Sequence, residues 1–343
     1  MARLDVVSGA FDNAREPFAS LRKANLVNVS PDEVLLARGA SVFAVEGTGF
    51  VQNARGDFVA GTVTAIAERK RGALLYTLGE LEVPAQDFFR FLDRDRRGAF
   101  RDTLFGGDDV LNGGSAADRL FGFAGDDVLG GNAGDDLLDG GEGDDRLDGG
   151  TGADRLIGGA GNDLFAVDDP GDRVIERPGE GVDVVEASTS FAVPVEVEVL
   201  RLLGSAPLSA VGSRAADRLE GNAGANLLDG REGDDVLLGG PGADTLVGGR
   251  GADRFVIDTR AGGIDTIRDF RVREGDVLDL SELVTGYSGD ARGFVQLSGS
   301  GREVVVGLDP DGGGDGFAPV AVIRGEIGLD VASLVANGTI VLA

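Results

Sequence analysis

An aspartate recurs every nine residues at Asp109, Asp118, Asp127, Asp136, Asp145, Asp154 and Asp163, with a large apolar residue two positions after each, from Leu111 to Phe165. Glycines fill the interval, as in Gly140-Gly141-Glu142-Gly143-Asp144-Asp145-Arg146-Leu147-Asp148. The same rhythm returns at Asp217, Asn226, Asp235, Asp244 and Asp253, with Leu219, Leu228, Leu237, Leu246 and Phe255 in the apolar slot. A repeat of fixed period restricts the chain to stacked, quasi-one-dimensional architectures. A disordered acidic tail would have no reason to keep a leucine in register with every aspartate.

Each unit divides into a turn and a strand. The glycine half must turn sharply with positive φ, which glycine tolerates. The other half, Asp145 to Asp148, is a short strand whose alternation sends the leucine inward. Two strands and two turns close a flattened coil of eighteen residues. Coils then stack as parallel strands about 4.8 Å apart, leucine on leucine. This spacing predicts an all-β fold, a parallel β-roll (β-solenoid) in two nonapeptide-repeat blocks.

Stacking places loops eighteen residues apart above one another. Asp109, Asp127, Asp145 and Asp163 then line one edge of the first block, and Asp118, Asp136 and Asp154 the other. In the second block Asp217, Asp235 and Asp253 face away from Asn226 and Asp244. Such columns repel unless a cation lies between the carboxylates. Carboxylates, together with carbonyls of the turn glycines Gly125, Gly134, Gly143, Gly152, Gly161, Gly224, Gly233, Gly242 and Gly251, form an oxygen-only donor set. Many oxygens on flexible loops favour Ca²⁺ over Mg²⁺, so several calcium ions are the expected cofactor. Asn226 lacks one negative charge and should hold calcium more weakly. Ser115-Ala116-Ala117 and Arg214-Ala215-Ala216 open the blocks without the full glycine set, as end repeats do. Pro241 falls at a variable turn position that accepts it.

These motifs resemble the repeats of RTX (hemolysin-type calcium-binding) proteins, which bacteria export by type I secretion. Residues 161–204 are similar to the spacer that separates RTX blocks. The stretch GADRFVIDTRAGGIDTIRDFRVREGDVLDLSEL, with Asp269-Phe270 and Asp279-Leu280-Ser281, resembles the segment after the last repeat in serralysin-type C-terminal modules. The resemblance covers residues 104–343. It implies an extracellular protein, a type I transporter as partner, and an uncleaved C-terminal signal within 284–343, whose apolar tail Leu334–Ala343 reads alternatively as a final strand. No secretory leader or transmembrane run is expected from Met1–Gly9 or elsewhere.

Charge is divided unevenly. Residues 1–103 hold 14 basic and 14 acidic side chains, and the remaining 240 hold 18 and 45, which is the whole net charge of −27. Such a body offers nucleic-acid phosphates no cationic face. The absence of cysteine excludes disulfides. The absence of histidine excludes HExxH zinc sites and Ser-His-Asp triads. Carboxylate-only glycan chemistry needs two facing acids, and Asp57, Glu80 and Asp87 give no sign of facing. Asp309–Gly316 imitates an EF-hand loop but has Gly313 and Val320 where acids belong, so a turn is expected.

The domains expected are a β-rich N-terminal domain or solenoid cap (1–103), the first roll block (104–167), a β spacer continuing the solenoid (168–212), the second block (213–258), and a C-terminal cap with the secretion target region (259–343). Strands are expected over Ser41–Glu46, Gly61–Ile66 and Leu74–Leu78, and a helix over Pro84–Leu92. The functional expectation is a secreted, non-catalytic protein that folds on extracellular calcium. It would have a structural, adhesive or matrix role, with a cell-surface or matrix polysaccharide as a possible partner. The alternative is an export and folding carrier for an N-terminal recognition domain or carboxylate-based glycan-acting enzyme domain.

Overall fold

The structure is a computed structural model. It describes residues 106–258, 263–284, 287, 290–300, 303–314, 316–326 and 330–342, and before residue 106 the backbone of seven strands. The chain divides into two compact units, Met1–Gly181 and Val182–Ala343.

In the first unit, Val110–Asn112, Val128–Gly130, Arg146–Asp148 and Leu164–Val167 pair in parallel, with Leu111, Leu129, Leu147 and Phe165 in register. The opposite face stacks Arg119–Ala124, Leu137–Glu142, Arg155–Ala160 and Arg173–Ile175, aligning Leu120, Leu138, Leu156 and Val174. All the leucines in these two rows are fully buried. The eighteen-residue coil expected from the nonapeptide rhythm is therefore the repeating unit of the fold. Each short strand buries one side chain and exposes or half-exposes its neighbours, as in the pattern of Arg146–Asp148.

The second unit repeats the plan with coils of uneven length. One face aligns Val185, Leu200, Leu219, Leu237, Phe255, Leu278 and Ile340. The other aligns Ala210, Leu228, Leu246, Ile267 and Ile323. There Ala318–Glu326 also pairs antiparallel with Glu303–Leu308, which pairs with Val295–Ser300, so a hairpin borders that face. The tail contains the expected strand only at Ile340–Val341, laid parallel on Val277–Asp279, and a helix over Val331–Ala336 precedes it. Asp309 folds the EF-hand-like segment into a turn, its Oδ2 accepting from the Gly314 and Gly316 amides at 2.8 and 3.3 Å.

Before residue 106, Asn25–Val29, Glu33–Arg38, Ser41–Gln52, Phe58–Lys70 and Ala73–Gly79 form an antiparallel meander that includes the three expected strands. Arg3–Val6 pairs antiparallel with Ala73–Gly79 and parallel with Val110–Asn112, so one strand belongs to both the meander and the first rung. The helix expected over Pro84–Leu92 begins with a correction. Pro84 is the end of strand Val83–Pro84, paired to Thr62, while residues 85–92 lie outside the described residues. No helix among the described residues is long and apolar enough to cross a membrane.

Candidate metal centre

The nonapeptide turn brings its aspartate under the next coil. All eleven aspartates expected at the edges, and Asn226, are at most 3% exposed. On one edge the amides of Asp109, Asp127 and Asp145 donate to Oδ1 of Asp127, Asp145 and Asp163 at 2.6, 2.8 and 2.8 Å. On the other, Asp118 donates to Asp136 and Asp136 to Asp154, at 2.6 and 2.7 Å. The second unit repeats this from Asp217 to Asp235 to Asp253, at 2.8 and 3.1 Å, and from Asn226 to Asp244 at 2.7 Å. The two edges are those that the eighteen-residue spacing predicts.

One oxygen of each carboxyl is thus spent on the backbone. The second oxygen, Oδ2, of Asp127, Asp136, Asp145, Asp154, Asp235 and Asp244 is buried without a hydrogen-bond partner. A buried carboxylate oxygen left in that state carries a large desolvation penalty. These atoms lie against the first glycine of their own repeat. A Cβ on Gly122 would meet Asp127 Oδ2 and the carbonyl oxygen of Gly140, and one on Gly131 would meet Asp136 Oδ2 and the Gly149 carbonyl. The missing Cβ therefore leaves a cradle between one coil's carboxylate and the next coil's carbonyl. Among the described residues no three acidic side chains converge. A cation held here takes backbone oxygens as well, which suits calcium.

The fourth-position glycines serve a neighbouring role. The carbonyls of Gly125, Gly134, Gly143, Gly161, Gly224, Gly233 and Gly242 face the next coil at Gly143, Gly152, Gly161, Gly181, Gly242, Gly251 and Gly263. Positive φ is found at Gly125, Gly134, Gly143, Gly152, Gly161, Gly233 and Gly251. Gly224 and Gly242 depart from that expectation. They are glycine because a Cβ would collide with the Ala206 and Gly224 carbonyls. The second turn position also takes positive φ, even as Phe123, Asn132 and Arg231.

Electrostatics follows the columns. Burial pushes Asp145 up to about 8, Asp127 and Asp235 to about 7, and Asp136, Asp154, Asp244 and Asp253 to about 6. The backbone bond to each lowers it in part, and carboxylates on the same edge raise most of them again.

The block-opening residues differ. Asp118 Oδ2 accepts from the Gly114 amide at 2.6 Å, and Asp217 Oδ2 from Ser213 at 2.5 Å. Asn226 Oδ1 accepts from Asn222 at 2.8 Å, while its Nδ2 donates to Asn222 Oδ1 at 3.1 Å. Each closes on its own loop and so offers a cation less than an interior aspartate does.

Four buried acids lie beyond the aspartates expected at the edges. Asp172, Asp265 and Asp276 accept from the amides of Asp154, Asp244 and Asp253 at 2.9, 2.9 and 3.1 Å, extending the ladders, and Asp183 is 1% exposed. Their signal is an aspartate two residues before a buried apolar side chain; Asp172 keeps the nine-residue step after Asp163, while inserted residues make the spacings of Asp183, Asp265 and Asp276 irregular. Two more acids end the turns. Glu176 takes the Gly158 and Gly159 amides at 2.7 and 3.4 Å, and Asp269 takes those of Gly248 and Gly249 at 3.0 and 2.9 Å.

The model of the RTX calcium-binding nonapeptide repeat matches four times, at residues 103–138, 130–165, 211–246 and 220–255. No curated protein sequence matches the chain. Among solved structures, the extracellular lipase LipA from Serratia marcescens is similar at 17% identity and a TM-score of 0.14, over 69% of this chain. The chain spans 38% of that lipase.

Proposed function

From the premise that this chain carries RTX calcium-binding nonapeptide repeats, we propose that it is a secreted, non-catalytic protein whose rolls fold when extracellular calcium enters the gaps between coils. The observation that carries this reading is the set of buried, unpartnered Oδ2 atoms, of which those of Asp127, Asp136 and Asp235 share a cradle with a glycine carbonyl of the next coil. Bound calcium supplies positive charge to those oxygens. The chain's own residues do the rest. Asp amides fix the carboxylates, glycines admit the carbonyls, and stacked leucines exclude water.

Where calcium is scarce, the carboxylate columns repel and the glycine-rich turns keep high conformational entropy, which favours an unfolded chain able to thread a transporter. At millimolar calcium, sites of roughly 10⁻⁴–10⁻³ M affinity stabilise the fold by mass action. Residues 259–343 are assigned here as the type I export target, with a structural or adhesive role for the exported rolls. Circular dichroism with calcium and with chelator tests the core of this reading. A cooperative gain of β signal on adding calcium is expected, and identical spectra would overturn it.

The strands Ser41–Gln52 and Phe58–Lys70, of 12 and 13 residues, are longer than any rung and pair antiparallel in a meander, which favours a second reading of residues 1–103 as carried cargo. Deleting residues 1–103 separates the two. Surface attachment that survives the deletion favours the rolls as the working part, and its loss favours the cargo.

A further inference from the structure

The described part of this strongly acidic chain contains a cleft where cations gather. It has a volume of about 440 Å³ and is lined by Arg268, Arg271, Arg273 and Arg324, together with Asp269 and Glu274. That volume lies within the range of small-molecule sites. Four guanidinium groups in one cleft are costly to assemble without a counter-charge, and the two acids of the lining, both beside Arg271, balance only part of it. Asp269 spends both oxygens on the Gly248 and Gly249 amides, leaving Arg271 Nη2 at 3.8 Å. Glu274 pairs with Arg271 Nη1 at 3.0 Å, and that nitrogen also donates to the Gly249 carbonyl.

Two of the guanidiniums are therefore held in place from one side. Arg271 is fixed through Nη1. Arg324 is fixed through Nε, 3.0 Å from Glu303, which leaves its two terminal nitrogens for the cleft. Arg268 is exposed on the rim, on the same strand as Arg271. A planar fork anchored at one edge loses little entropy when the other edge binds, and its parallel donors match two oxygens of one oxyanion.

We propose that this cleft binds an oxyanion carried on a group of monosaccharide size, a carboxylate or sulfate of an acidic sugar. Arg268 and Arg324 provide the main contacts, and Arg271 is positioned behind them. The site is distinct from the cation gaps in the rolls, because its charge has the opposite sign and its lining includes none of the column aspartates.

The test uses the full chain in excess calcium. Isothermal titration is run with inorganic sulfate, with a sulfated uronate disaccharide, and with neutral maltose. Wild type is compared with R268Q/R324Q and with R201Q/R292Q, which changes the net charge equally away from the cleft. Circular dichroism confirms that each variant folds with calcium. Should R268Q/R324Q fail to fold, the single variants R268Q and R324Q take its place. The expected result is saturable binding of the disaccharide, none of maltose, and at least about tenfold weakening in R268Q/R324Q alone. Binding of sulfate without the disaccharide would reassign the source to a free anion and overturn the sugar. Equal weakening in both double variants, or no binding of either anion up to about 10 mM, would overturn the site.

Discussion

Oδ1 of Asp145 accepts a hydrogen bond from the amide of Asp127, eighteen residues earlier, at 2.8 Å, while Oδ2 of the same carboxyl is buried with no partner. One side chain thus serves two masters, a backbone that any acceptor would satisfy and an oxygen that needs a cation. Asp145→Asn separates the two roles. The amide oxygen keeps the bond to Asp127, and the charge is lost. The calcium midpoint for folding is expected to rise severalfold, roughly threefold to tenfold if one site of several is weakened. A calcium titration followed by circular dichroism reads it, and an unchanged midpoint contradicts the assignment.

Acid should partly replace calcium. The column aspartates have folded-state values raised to about 6 to 8 by burial, above the ordinary carboxylate value near 3.8. Raised groups contribute stability that is fully present below the unfolded value and is lost as pH climbs through the folded one. In chelator, the β signal is expected to be larger near pH 5 than at pH 8, and the calcium-induced gain correspondingly larger at pH 8. Urea midpoints in chelator across that window provide the measurement.

Two glycines give a matched comparison. Gly152 has φ +140, and its Cβ position runs into the Gly134 carbonyl of the coil before, whereas among the described residues nothing lies within 4 Å of a Cβ at Gly107. Gly152→Ala is expected to cost about 2 kcal/mol or more, and Gly107→Ala less than about 0.5 kcal/mol, by thermal or urea unfolding in saturating calcium.

Leu147 stacks between Leu129 and Phe165 and is fully buried. Leu147→Ala should cost roughly 2–5 kcal/mol of stability, since its neighbours are fixed by rungs that cannot collapse inward. Calcium-saturated unfolding midpoints check this, and a loss below about 1 kcal/mol would argue against a dry leucine stack.

The coil, its leucine rows and its two acidic edges were legible in the sequence because each depends on a strict period. Asp145 and Leu147 hold the same offsets in every repeat. Asp265 and Asp276 were not legible, although they continue the ladders from Asp244 and Asp253, because insertions stretch those steps to 21 and 23 residues. The sequence points to the fourth-position glycines as carbonyl donors, and nothing in it marks the first-position glycines Gly140 and Gly149 for that role. Only the three-dimensional stack shows that their carbonyls border the same cradles as the unsatisfied oxygens of Asp127 and Asp136. The helix at Val331–Ala336 gave too short an apolar signal to separate from a strand.

A second, outer ladder runs beside the first in the opposite sense. The amides of Asp126 and Asp144 donate backwards to Asp108 and Asp126, at 3.1 and 2.9 Å, while the inner aspartates accept from the coil before. A chain of near-identical turns is prone to slippage, because moving one whole turn along exchanges like for like. Here the two opposed threads and the odd residues at the ends, Asn222 and Asn226 with their mutual amide bonds and Glu176 across Gly158 and Gly159, give individual turns their own address. Slipping would leave those partners stranded, so the monotony of the sequence does not become ambiguity in the fold.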